Sequence, residues 1–450
     1  MKTNNKNLFL KILVTVLFLS AFSPSFGQNM YRGVLNESMC DTSIVRETSK
    51  DTVLIYNRRN KTSTFMLVPD NTTSNPWTIY FDDIYINDFE IFEKNVYFCG
   101  YTMVEDVKNA VFGYLPLIPF PSSDLYCYIT NECKEFKKLD VYETVEMQFA
   151  EETHLVIIGT TNDSRSDALV DVSMFSPLPY NFSIHISLDE NENYDDVAVT
   201  KNKVVVSSRN KVKGIPIVNF LYYDRPLLLG QNIFSSLANR LRTSSPAAET
   251  PVFLEHTQND SVAAVFKVLG YSRIAMLNLE VSSANYKSYE ITVDSAETVI
   301  PIDIKYNTRN YVYGILARTA NSYNPDFLPQ MQIYHVSQAD LNNLTPYGNG
   351  TKYTERVFNL WSLEPLRKTA NYFVASGDEG NLPRLFKFNH YQWDPCSTGF
   401  NYLYAIGYLL GKFEDIDVLC QPLIAEFKKI VPWNKKKPFP VLCPTQNEAE

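Results

Sequence analysis

The stretch Asp88-Phe89-Glu90-Ile91-Phe92-Glu93-Lys94-Asn95-Val96-Tyr97-Phe98-Cys99-Gly100 alternates polar and apolar residues over its first four positions. It then turns on three polar residues and ends in an apolar run closed by a glycine. Alternation with period two, a polar turn and a second short run together read as a β-hairpin. The phrase returns along the chain. Its second run recurs at 155–159, 204–207, 261–266, 311–315 and 372–376, in steps of roughly 50 to 60 residues.

That step is the length of one four-stranded antiparallel unit with generous loops. A repeated four-stranded unit predicts an all-β, radial architecture, a β-propeller, because stacking the units around a ring protects most of the sheet edges that a lone unit would expose. Six repeats predict six blades. The last repeat lacks an outermost strand, and strands at 52–56, 64–68 or 77–81 are expected to complete it, so that both chain ends meet in one sheet. If residues 40–81 form a blade of their own, the count becomes seven. Two β-sandwiches are the rival by length alone, but no Gly/Ser- or Pro-rich linker divides the chain. The 29 Tyr and 28 Phe suit half-buried pleated faces. Only 233–241 and 422–430 carry helical periodicity.

The first 27 residues read as a cleaved signal peptide. Lys2, Lys6 and Lys11 lead into a largely apolar run at 12–19, and the small residues Ser25 and Gly27 precede Gln28. The expected organisation is therefore a signal peptide at 1–27, a propeller at 28–395 closed by N-terminal strands, and a cysteine-containing extension at 396–450. The expected location is beyond the membrane: periplasm, cell surface or outside. No later apolar stretch is long enough to predict a membrane span. The expected mature chain carries 38 basic and 50 acidic residues, a formal charge of −12. Such a balance argues against nucleic acid or an anionic membrane as partner. Lys435-Lys436-Lys437 is a short basic run between prolines, read as a solvated tail.

Seven cysteines in an exported chain predict disulfides and leave at least one thiol over. Cys99, inside an apolar run, is the expected buried thiol. Cys127 and Cys133 are spaced to clip a hairpin, and Cys40, Cys396, Cys420 and Cys443 are the other candidates, with a staple from N-terminal segment to tail as one arrangement. There is no CxxC pair, and the five histidines are scattered, so a Cys/His zinc site is not predicted. Eight N-x-S/T triplets, such as Asn162-Asp163-Ser164, follow from an Asn- and Thr-rich composition in a bacterial reading and would be glycan acceptors in a eukaryotic one.

At 88–100, and in the signal ending Ser25-Phe26-Gly27-Gln28, the chain resembles the secreted six-bladed propeller proteins of Bacteroidetes. The resemblance covers most of residues 50–395 and lies in a loose pattern. It implies a fold and an extracytoplasmic location and carries no catalytic residue over to this chain.

Propellers bind ligands at a mouth of the central channel, beside the first strand of each blade. The polar face of the proposed inner strands gives Asp88, Glu90, Glu146, Asp196, Glu255 and Asp303, with Asn359 in the sixth repeat. These carboxylates have a plain structural reading: they solvate a channel, start strands and cap loops. Their functional reading is a ring that contacts sugar hydroxyls, a basic peptide or a hard cation such as Ca²⁺. The chain has no G-x-S-x-G elbow, phosphate loop or H-E-x-x-H helix. Glu255 beside His256 offers an acid/base pair, and Glu146 with Asp196 a glycosidase-like pair of acids. The expected function is a binding scaffold for a protein or glycan, with a glycan-active hydrolase or lyase as the alternative.

Overall fold

The computed structural model describes residues 42–48, 52–59, 61–69, 77–117, 125–146, 150–162, 167–175, 178–186, 192–212, 215–224, 239–242, 247–257, 260–271, 273–281, 285–292, 297–309, 311–321, 330–337, 340–346, 353–354, 358–366, 372–379, 382–389, 412–415, 418–422 and 426–430. They form seven sheets. The innermost strands are, in blade order, Thr42–Glu47, Ile84–Phe92, Cys133–Glu146, Glu192–Val199, Phe253–His256, Glu297–Asn307 and Phe358–Pro365. Each pairs outward with antiparallel strands that follow it in sequence. Neighbouring inner strands touch around the circle, and the last touches the first. The chain is a β-propeller.

The blade count corrects the expectation of six and matches the alternative of seven. Residues 42–82 make their own sheet, in which Thr52–Arg59 pairs Thr42–Glu47 on one side and Thr62–Pro69 on the other, followed by Trp77–Asp82. Local pairing wins because closing a short loop costs less chain entropy than bringing a strand across the ring. No N-terminal strand enters the last sheet, which has three strands among the described residues. The ring closes by packing and by side-chain bonds instead.

The third repeat's fourth strand is Asn239–Arg242, and one further expectation changes. Residues 426–430, given helical periodicity above, form the strand Glu426–Ile430, parallel to Leu178–Ile186. Of the other helical expectation, 233–238 lies outside the described residues. Among the described residues, no helix is long and apolar enough to cross a membrane.

The apolar runs are continuous because both faces of each blade are covered, and alternate residues serve different neighbours. In blade 2, Val96 and Phe98 pack with Phe65 and Phe81 of blade 1, whereas Tyr97 and Cys99 pack with Phe136 and Ile157 of blade 3. Blade 3 repeats the division, Val156 and Ile158 turning to Val204 and Val206 of blade 4. Ala264 and Phe266 of blade 5 meet Val205 and Phe220 of blade 4, while Ala263 and Val265 face Tyr313 and Ile315 of blade 6. At Gly314 the approach is so close that an added Cβ would lie 2.7 Å from the Phe373 ring and 2.9 Å from Leu363, both of blade 7.

Candidate functional site: the mouth of the central channel

Five inner strands carry an extra residue where the register with the second strand shifts, at Asn87, Lys137, Asp195, Ile302 and Trp361, and Cys133–Glu146 carries a second one at Lys134. A bulge bends a strand and re-aims the next side chains. The next residues are Asp88, Lys138, Asp196, Asp303 and Ser362. Two positions further, on the same face of each strand, stand Glu90, Asp140, Ala198, Lys305 and Glu364. Arg46 of blade 1 and Glu255 of blade 5 join this second level. The two levels surround a polar cavity of about 220 Å³ at the axis.

The charged groups are tied to the backbone of the next blade. Asp88 accepts from its neighbour Phe89 N at 3.0 Å and from Leu139 N of blade 3 at 3.4 Å. Asp140 accepts from Val141 N at 2.7 Å and Val199 N of blade 4 at 2.6 Å. Asp196 accepts from Val197 N at 2.9 Å and Leu254 N of blade 5 at 2.8 Å. Glu255 accepts from Tyr306 N of blade 6 at 3.0 Å. Asp303 accepts from Ile304 N and from Leu363 N of blade 7, each at 2.9 Å. Val45 N of blade 1 donates to Ser362 Oγ at 3.4 Å, and the Arg46 guanidinium donates to Asp88 and Glu90 of blade 2, each at 2.9 Å. Every blade is thereby bonded to the next through the channel wall, including the seam between last and first.

Burial sets the electrostatics. It raises the Asp140 carboxyl from 3.8 to about 7, assisted by Glu90 and opposed by the two N–H bonds. It raises Asp196 to about 6 and Glu255 to about 7, against the pull of Lys138 and Lys305 respectively. The cations move the other way. Burial alone would depress Lys138, but Asp88, Asp196 and Asp303 outweigh it and hold the ammonium above its usual range. Burial and Arg46 oppose Lys305, and Glu255, Glu90 and Asp303 prevail there. Arg46 is likewise held protonated, mainly by Glu90 and Asp88 against burial. The mouth thus presents three fixed cations, Arg46, Lys138 and Lys305, beside the raised carboxyls of Asp140, Asp196 and Glu255. Such a cavity matches polar groups that both donate and accept hydrogen bonds.

Of the residues that the sequence singles out, Asp88, Glu90, Asp196, Glu255 and Asp303 line this one cavity. In blade 3 Glu146 ends the long inner strand, opposite Ala150, and among the described side chains the carboxylate that lines the cavity is Asp140, six residues earlier. The side chains of Glu146 and Asn359 lie outside the described ones; the blade 7 carboxylate that lines the cavity is Glu364. Arg46, Lys138, Lys305, Asp140 and Glu364 were missed. For all but Arg46 the signal is the tetrad Asp88-Phe89-Glu90-Ile91, echoed by Lys138-Leu139-Asp140-Val141, Asp303-Ile304-Lys305-Tyr306 and Ser362-Leu363-Glu364-Pro365. His256 stands exposed at the rim, while Glu255 turns to Tyr306 N and to Lys305 Nζ at 3.5 Å. Among the described residues no three His, Cys, Asp or Glu side chains come close enough to hold a metal ion; the cations interleaved in the ring account for this at the channel mouth.

Cys99 and Cys133 are both buried thiols, which corrects the expected clip between Cys127 and Cys133. The two residues share a blade boundary but not a bridge, because Cys133 begins the next inner strand. Cys40, Cys396 and Cys443 lie outside the described residues.

No family model matches the sequence, and no curated protein matches it. Among solved structures it is similar to the β-propeller domain of the trilobed protease from Pyrococcus furiosus, at 10% identity over 79% of this chain and 99% of that one, with a TM-score of 0.49. A sialidase from Streptococcus pneumoniae gives 10% identity over 80% and 68% of the two chains, with a TM-score of 0.40. A polysaccharide lyase gives 7% identity over 77% and 89%, with a TM-score of 0.44. The assignment of the fold rests on the seven sheets themselves.

Proposed function

We propose that this protein is an exported binding scaffold that receives a polar protein or glycan ligand at the channel mouth. The observation that carries the reading is the concentration of charge: six of the seven inner strands place an ionisable side chain at one level of the cavity wall, Arg46, Glu90, Asp140, Glu255, Lys305 and Glu364. Cationic donors and carboxyl groups side by side, in a cavity with room for roughly seven waters, suit a sugar ring or a polar side chain presented from above. Export is inferred from the N-terminal Lys-rich and apolar segments. The test is a glycan and peptide array probed with the mature protein and with a Glu255→Gln/Lys305→Met variant. Retention by the first and loss by the second supports the site; equal retention by both rejects it.

One observation favours a second reading. Asp140 and Glu255, both with carboxyls near neutrality in the same cavity, have the poise of general acids. In a glycan-active hydrolase or lyase, polysaccharide cleavage would be detectable and would vanish in Asp140→Asn and Glu255→Gln. Binding without product release favours the scaffold.

A further inference from the structure

After blade 7 the chain returns to the rim of the ring. Lys412–Asp415 runs parallel to Trp77–Asp82, the outermost antiparallel strand of blade 1. Val418–Pro422 then runs parallel to Leu125–Thr130 of blade 2, and Glu426–Ile430 parallel to Leu178–Ile186 of blade 3. The segment is a belt that adds one outer strand to each of three consecutive blades. Its strands have only 4, 5 and 5 residues. So few ladder bonds make a weak attachment on their own.

The middle strand supplies a fastener. In its register Cys420 is the direct partner of Cys127. Neighbouring strands lie about 4.8 Å apart, inside the Cα separation of about 4.4–6.8 Å that a disulfide spans. Cys127 is fully buried in the core between blades 1 and 2 and is a disulfide-bonded residue rather than a titrating thiol. Cys99 and Cys133 are thiols, so neither is its partner.

We propose that Cys127 and Cys420 form a disulfide that locks the C-terminal belt onto the propeller rim. Two S–H bonds break and one S–S bond forms. The two protons and two electrons pass to a disulfide donor, an oxidised dithiol of the compartment in which the chain folds, by thiol–disulfide exchange. The locked belt covers the outer hydrogen-bonding edges of blades 1 to 3, which would otherwise be open to strand addition from other chains. The inference rests on the register of two strands and is independent of what the channel binds. It also requires an oxidising compartment.

The test is peptide mapping by mass spectrometry of the full-length secreted protein, alkylated before digestion without reductant. The expected result is a linked peptide pair containing Cys127 and Cys420, lost on reduction. Alkylated thiols at both positions, or a link from Cys127 to any other cysteine, would overturn the proposal. Limited proteolysis gives a second readout. Cleavage within 412–430 should accelerate on reduction and in Cys420→Ser, with Cys99→Ser as an unaffected control. Equal cleavage rates with and without the bridge would show that it does not hold the belt.

Discussion

Asp140 permits a quantitative test of the channel wall. Its carboxyl is raised from 3.8 to about 7 in the folded protein, chiefly by burial. The folded state therefore holds this proton more tightly than the unfolded chain does. The resulting stabilisation is fully present below about pH 4 and is lost as pH climbs through about 7, the reverse of the usual carboxylate behaviour. The displacement corresponds to about 4 kcal/mol. Asp140→Asn keeps the shape and removes the ionisation. In acid, where the wild-type carboxyl is protonated, both side chains offer one good acceptor to Val141 N and Val199 N, and the two proteins should differ by no more than about 1 kcal/mol. At about pH 8 the wild type bears the cost of a buried charge that the variant lacks, so the difference in unfolding free energy should move by about 4 kcal/mol in favour of asparagine. Urea denaturation at both pH values, read by tryptophan fluorescence and circular dichroism, measures it. A difference independent of pH, or one that moves against asparagine as pH rises, would refute the reasoning. It would show that the two backbone bonds, and not burial, govern this carboxyl.

Arg46→Met should cost about 3–5 kcal/mol, because it strands two carboxylates of blade 2 beside a buried position; urea melts check the loss, and Arg46→Lys should restore only part of it, since an ammonium cannot reproduce the fork that reaches Asp88 and Glu90 together. Gly314→Val should destabilise by about 1–3 kcal/mol through overpacking against Phe373 and Leu363, and a Phe373→Leu change on the same background should recover part of that cost in thermal melts. Phe112→Ala, which empties a fully buried site between blades 2 and 3, should cost about 3–5 kcal/mol by the same assay.

The strand pattern was legible because both of its signals are local. Hairpin alternation at 88–100 and its echoes need only neighbouring residues, and the apolar runs announce strands covered on both faces. The blade count was harder to read. Residues 42–82 have the same strand signals as the other repeats, and what separates an independent blade from a closing strand is the partner of Thr42–Glu47, a long-range fact. At the mouth, Asp88, Asp196 and Asp303 could be found from their position after a polar turn or at the start of a strand. Asp140 could not be found that way, because its strand is long and Glu146 fits the same rule equally well; the bulge at Lys137, which sets the phase, leaves no mark in composition. Lys138 and Lys305 occupy the same tetrad positions as the acids, but a pattern of converging carboxylates does not contain them. The rim belt was misread through 422–430, where apolar spacing suits a helix but the unpaired edge of Leu178–Ile186 offers a strand a ready partner.

The most direct test of the ring is a crystal structure of the protein. Seven sheets are predicted around the axis, with residues 42–82 forming one of them and Asp140 bonded to Val199 N across blades 3 and 4. Six sheets, with a strand from 42–82 inserted beside Leu382–Asn389, would contradict the account and dissolve the channel wall on which the proposed site depends.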